Sequence, residues 1–404
     1  MKYINFLNAA QMKNLIIVIL LLAAIVISEI YISEDILADT DLINYRIYAD
    51  DHNSSFLPYK TTFSGNIIWE RKSLFLNDFP SPAHLAINGS VLIIWYIDKI
   101  DVTNKINGTS IWNKEIMPNT DFDLKYNGFI SMNSAGFYEV YGLNQKIEEQ
   151  YSLPFLSAQT KLYFSEKIKN IIYYVYQNIP TPTNSPDDKI SEPEFIFAGF
   201  DLKANDFTWE FVKSGFLICA IKTRQNNKLC LASKKNIYLF DIYSNSENQV
   251  QTLSFEKILT VSLDHHDNLL VVNESENGKE LKCLTQAGKI NWVYPLEDAI
   301  LSGQPPASDP EDNIYLVLGN ILECIKDGKL VWSYKLPTYP GKALITVLKD
   351  KSVLVSAGAM LLQISGDGNL IKNKLFNYPL TCRPIVDEEG LIYVANQESI
   401  FAIK

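Results

Sequence analysis

From about residue 61 to the end, the chain alternates short apolar runs with polar turns. Runs such as NLLVVN (268–273), NIYLVL (313–318) and GLIYVA (390–395) are four to six residues long and rich in Ile, Val, Leu and Tyr. That length and composition predict buried strands rather than helices. Each run follows a turn rich in Asp and Asn (DHHDN, DPEDN, VDEEG) and precedes a second run such as KELKCLTQ (279–286) or NILECIKD (320–327). After the second run comes a recurring phrase, Gly, three residues, Trp. It is written GKINWVYPL at 288–296 and GKLVWSYKL at 328–336. The pattern predicts three or four short antiparallel strands per repeat, joined by tight turns.

The phrase occurs at Gly65–Trp69, Gly108–Trp112, Gly288–Trp292 and Gly328–Trp332. A fifth copy places Asn205 where Gly stands elsewhere and ends at Trp209; Asn is the usual substitute where a turn needs positive φ. Three degenerate copies fill the gaps, with Gln145 and Glu149, Asn248 and Thr252, and Gly368 and Lys372 in the two key positions. The eight marks recur about every 40 residues, with one longer step between Glu149 and Trp209. A period of about 40 built of strands points to propeller blades. The last repeat stops at IFAIK (400–404), short of the phrase, while SGNIIWERKSL (64–74) stands before any blade of its own. The amino-terminal copy is therefore expected to supply the outer strand of the last blade. The predicted fold is all-β, an eight-bladed propeller of four-stranded antiparallel blades over residues 61–404, closed by an amino-terminal strand.

AGKINWVYPL and DGKLVWSYKLP resemble the outer-strand signature of the pyrroloquinoline-quinone-like propeller repeat. The resemblance covers residues 61–404, strongest over 255–404 and weakest over 150–255. It implies that Trp69, Trp112, Trp209, Trp292 and Trp332 dock each blade on its neighbour, and that the blades marked by Glu149, Thr252 and Lys372 lack this lock. Some propellers of this kind are quinone-dependent dehydrogenases with adjacent cysteines over the cofactor. This chain has no Cys-Cys pair, so a quinone enzyme is the distant alternative and the chain is expected to be a non-enzymatic member without a cofactor.

The amino terminus has a different pattern. LIIVILLLAAIVI (15–27) holds no polar residue; Lys2 and Lys13 precede it, and Glu29, Glu34, Asp35, Asp39 and Asp41 follow. Positive before and acidic after predicts an exported chain. Residues 1–33 read as a membrane anchor helix or a cleaved signal peptide, the run being short of the roughly 20 residues that span a bilayer comfortably. Residues 34–60 read as a polar stalk or linker.

Composition narrows the function. The chain is 47% hydrophobic and carries a formal net charge of −10 without a basic cluster, which argues against nucleic acid and a polybasic membrane patch. Cys219, Cys230, Cys283, Cys324 and Cys382 are odd in number, contain no C-x-x-C and sit in apolar runs; Cys219 and Cys230 flank one predicted hairpin and could face each other. Asp264-His265-His266-Asp267 looks like a metal cluster, but Asp309-Pro-Glu-Asp312 and Asp387-Glu-Glu occupy the same place in their repeats. All three therefore read as turns, and no catalytic, cofactor or metal residue is assigned. The remaining candidate is NIPTPTNSPDDKISEPE (178–194), between two strands of the fourth blade. Its prolines keep it out of a sheet. Pro180, Pro182, Asn184, Pro186, Asp187 and Asp188 are the candidate recognition loop. The expected role is a non-catalytic protein-binding scaffold at the cell envelope, attached to the membrane through the amino-terminal helix. The alternative is an exported sensor whose central channel takes a small ligand.

Overall fold

The computed structural model describes residues 56–73, 84–96, 98–116, 121–125, 128–133, 136–153, 160–178, 193–223, 228–242, 250–296, 304–337 and 343–404. They form an eight-bladed β-propeller, all β, of four-stranded antiparallel blades, one of which carries a short fifth strand on its inner edge. Among the described residues no helix is long and apolar enough to cross a membrane; the predicted anchor, residues 1–33, lies outside them.

Blades are numbered here by their outer strands in chain order. Blade 1 joins Ile67–Lys72 to Ile385–Val386, Ile392–Ala395 and Ser399–Ile403. Blades 2 to 8 span 84–115, 121–152, 160–214, 217–254, 257–295, 307–335 and 343–375. Within blades 2 to 8 the strands pair in chain order from the inner to the outer edge. Inner strands touch between blades 1 and 2, 3 and 4, 4 and 5, 5 and 6, and 7 and 8, which places them around the axis.

The strand patterns follow from this stacking. A second strand such as Ile314–Leu318 is buried throughout, because its blade is covered on both faces. Outer strands lie at the rim and alternate, as in Ile290–Pro295. In blade 1 the outer strand pairs antiparallel with the last strand of the chain, Trp69 opposite Ala402 and Lys72 opposite Ser399.

The motif has a backbone cause. In seven blades the register slips in front of the motif position, so that the preceding residue has no partner. Cys283 faces Trp292 while Leu284 faces Ile290, and Cys324 faces Trp332 while Ile325 faces Leu330. The same bulge precedes Trp69, Trp112, Glu149, Trp209 and Lys372. A bulge bends its strand and re-aims the next side chain. Blade 5 has none: Tyr238 faces Thr252 and Ile237 faces Leu253 without a slip.

Residues 56–60, assigned by sequence to the linker, are part of the propeller. Phe56–Leu57 pairs in parallel with Ala343–Leu348, the inner strand of blade 8. A two-residue strand has no period to read, which is why the sequence boundary fell at 61.

Candidate functional site

The candidate residues divide between the seams joining blades and the crossing in blade 4. At the seams, the Trp69 indole N–H donates to the Lys105 carbonyl of blade 2 (2.9 Å), Trp112 to Leu143 of blade 3 (2.7 Å) and Trp332 to Gly366 of blade 8 (2.7 Å). The Trp69, Trp292 and Trp332 side chains also lie near the first residue of the neighbour's motif. A Cβ on Gly108 would come within 2.7 Å of the Trp69 ring, one on Gly368 within 2.8 Å of Trp332, and one on Gly328 within 3.1 Å of Trp292. Gly108 and Gly368 also have φ of +72° and +81°, a region that L side chains resist. The two ends of the phrase thus meet across a seam: the Trp of one blade covers the Gly of the next. Trp209 is half-buried against an aromatic core shared by blades 4 and 5, edge-on to Phe197 at 4.6 Å. The sixth Trp, Trp95, is buried in blade 2.

Where the Trp is missing, other chemistry holds the seam. Glu149 of blade 3 accepts a hydrogen bond from Lys167 of blade 4, and the Lys167 ammonium also donates to Tyr151 (2.6 Å). Burial pulls the Lys167 pKa down, but Glu149 and Tyr151 outweigh it and raise it. In blade 5 the position read from sequence, Thr252, is not the docking residue; Leu253 covers Gly288, whose Cβ would come within 2.5 Å of it. The reason is the absent bulge, which leaves the register one residue different. Lys372 of blade 8 extends over Gly65, where an added Cβ would lie 3.4 Å from its side chain.

Sequence reasoning missed the charged ties. Arg71 of blade 1 pairs with Asp101 of blade 2, which is fully buried and also accepts from Ser110 (2.6 Å). Lys105 of blade 2, a buried lysine, donates to Glu388 (2.7 Å) and lies 3.5 Å from Asp387. Burial lowers its pKa, but these carboxylates prevail and raise it. Glu388 is held below its ordinary value, chiefly by the hydrogen bond from Lys105. Partners far apart in sequence leave no spacing to find; Lys105 and Glu388 are 283 residues apart.

The acidic turns are built as turns. One oxygen of Asp264 accepts from the His266 and Asn268 backbone N–H, and the other from the Asn268 side chain. Asp309 repeats the scheme with Glu311 and Asn313, adding the Tyr315 hydroxyl. Asp387 does so with Glu389, Leu391 and Tyr393. Each carboxylate is buried and bonded within its own turn; Asp387 also pairs with Lys105 across the seam. Among the described residues no group of three His, Cys, Asp or Glu side chains is placed to hold a metal.

All five cysteines are buried free thiols. Cys219 faces Ala232 and Cys230 faces Ile221, so the two sit diagonally across the hairpin. Burial pushes Cys219, Cys283, Cys324 and Cys382 up to about 12.

Pro180, Pro182, Asn184, Pro186, Asp187 and Asp188 lie outside the described residues. Their anchors do not: Asn178 pairs with Glu194, so the crossing leaves and returns at one point, between the second and third strands of blade 4. Blade 4 has the longest strands, eight or nine residues each, and the aromatic core of Tyr163, Phe164, Tyr173, Phe195, Phe197 and Phe211.

No family model matches this chain, and no curated protein matches it. Solved structures do. A quinohemoprotein alcohol dehydrogenase from Pseudomonas putida HK5, ADHIIG, is similar with a TM-score of 0.59 at 8% identity, over 91% of this chain and 81% of that one. The computationally designed protein Ika8 is similar with a TM-score of 0.55 at 11% identity, over 86% of this chain and 100% of that one. At such identities the likeness is one of fold.

Proposed function

We propose that this chain is a non-catalytic, protein-binding scaffold of the cell envelope, a non-enzymatic member of the pyrroloquinoline-quinone-like propellers. In this reading residues 1–33 export the chain and tether it to the membrane, and pairing of Ile67–Lys72 with Ser399–Ile403 locks the ring. The observation that carries the reading is the crossing between Asn178 and Glu194. It is an acidic, proline-rich stretch rooted on two paired residues of the longest blade. Insertions rooted on a rigid scaffold are where recognition residues are commonly carried. The seams support the same reading, since the polar groups of Trp69, Trp112, Trp332 and Glu149 are engaged in holding blades together.

The test is a crosslinked pull-down from intact cells, comparing the full chain with a variant lacking residues 179–193. A defined partner that disappears with the loop is the expected result. Equal capture by both chains would reject the loop as the contact, and no capture by either would reject the scaffold.

A further inference from the structure

The segment leading to the outer strand of blade 1 starts at the axis. Phe56 stands opposite Val347 and Leu57 opposite Leu348, on the free edge of the inner strand of blade 8. The Phe56 ring meets His265 of blade 6 edge-on at 5.5 Å and packs on the core shared by blades 7 and 8. Leu57 is buried in the core shared by blades 8, 1 and 2. Beyond them, the Lys349 N–H donates to the Tyr59 carbonyl (2.9 Å), and the Thr61 hydroxyl donates to the Gly390 carbonyl (2.6 Å). Phe56 and Leu57 therefore belong to cores built from blades 7, 8, 1 and 2, with His265 of blade 6 against the Phe56 ring.

We propose that this place, the inner edge of blade 8 with His265 opposite, is a binding site for an extended aromatic–aliphatic peptide, filled in cis by Phe56–Leu57. It rests on the protein-binding reading and gives it a second contact, where a partner's segment of the same chemistry takes the seat when the cis segment leaves. A free strand edge offers unpaired N–H and C=O groups, and a peptide added to it is held by backbone bonds and selected by its side-chain pockets. Here the pockets are formed, and the occupant's strand pairing covers two residues, followed by single bonds at Tyr59 and Thr61. So short a pairing opens at far less than the cost of global unfolding. In cis it acts at an effective concentration on the order of millimolar, which shuts out a weaker free peptide.

The test uses the full chain in detergent and a fluorescein-labelled peptide of residues 54–63, SSFLPYKTTF, followed by anisotropy. F56A/L57A should bind the peptide saturably, and the unaltered chain at least about tenfold more weakly. A peptide with both residues changed to alanine should not bind. Equal binding by the two chains, or binding by neither when F56A/L57A melts cooperatively, overturns the proposal. If that variant does not fold, F56C/H265C is treated with dibromobimane in an otherwise unaltered chain. A crosslink suppressed by excess peptide supports the seat; no crosslink, or one the peptide leaves unchanged, overturns it. Neither readout needs a captured partner, so failure of the pull-down and failure of the seat are separate results.

Discussion

Blades 6 to 8 and blades 3 to 5 solve one packing problem with different chemistry. At the seams from blade 6 to 7 and 7 to 8, an indole covers a glycine of positive φ. From blade 3 to 4 the contact is the Glu149–Lys167 pair, from 4 to 5 an aromatic core, and from 5 to 6 Leu253 over Gly288. The indole lock constrains both partners, since the glycine has no room for a side chain. The substitutes constrain one partner or neither. The proline-rich crossing falls in blade 4, in the region without the regular lock. The difference teaches that the ring tolerates sequence drift where seam contacts are exchangeable, and that the bulge, kept in blades 3 and 8 without a Trp, is the more basic element.

The comparison breaks most visibly if the ring does not depend on its first motif. Deleting residues 61–74 exposes the edge of Ser399–Ile403, removes Trp69 and leaves Asp101 buried without Arg71. A buried charge stripped of its partner is strongly destabilising. Melting should fall by roughly 10 °C or more. An unchanged melting curve would mean that blade 1 needs no outer strand. Next in size is Trp332→Ala, which loses a half-buried indole and its hydrogen bond to Gly366; about 2–3 kcal/mol is expected in chemical denaturation. The same measurement on Glu149→Gln should give about 0.5 kcal/mol, because Glu149 is 40% exposed at its side chain. It should shrink further in high salt, where the Trp332→Ala effect persists. Similar losses and similar salt responses would erase the distinction between the two regions.

How much of this could be read in the sequence follows from where the contacts lie. The Gly-to-Trp phrase was legible because its two ends serve two neighbouring seams at one repeat distance. Asp264, Asp309 and Asp387 were legible because each bonds within four to six residues of itself. Thr252 was misplaced because a bulge leaves no mark in composition. Arg71–Asp101, Lys105–Glu388 and Phe56–Val347 join segments with no common spacing, so only the folded ring shows them.

Glycine substitutions sharpen the comparison at single-atom scale. Gly368→Ala and Gly65→Ala both place a methyl on a backbone of positive φ, +81° and +84°, at a cost of about 1–2 kcal/mol each. Only the first then meets a ring fixed by its own hydrogen bond, at 2.8 Å. The second meets the flexible end of Lys372 at 3.4 Å, which moves aside. Gly368→Ala should therefore cost about 1–2 kcal/mol more than Gly65→Ala. In the Trp332→Ala background that excess should vanish, because the obstacle is gone. If the excess survives, the glycine answers to its backbone alone, and the meeting of the two ends of the phrase is incidental.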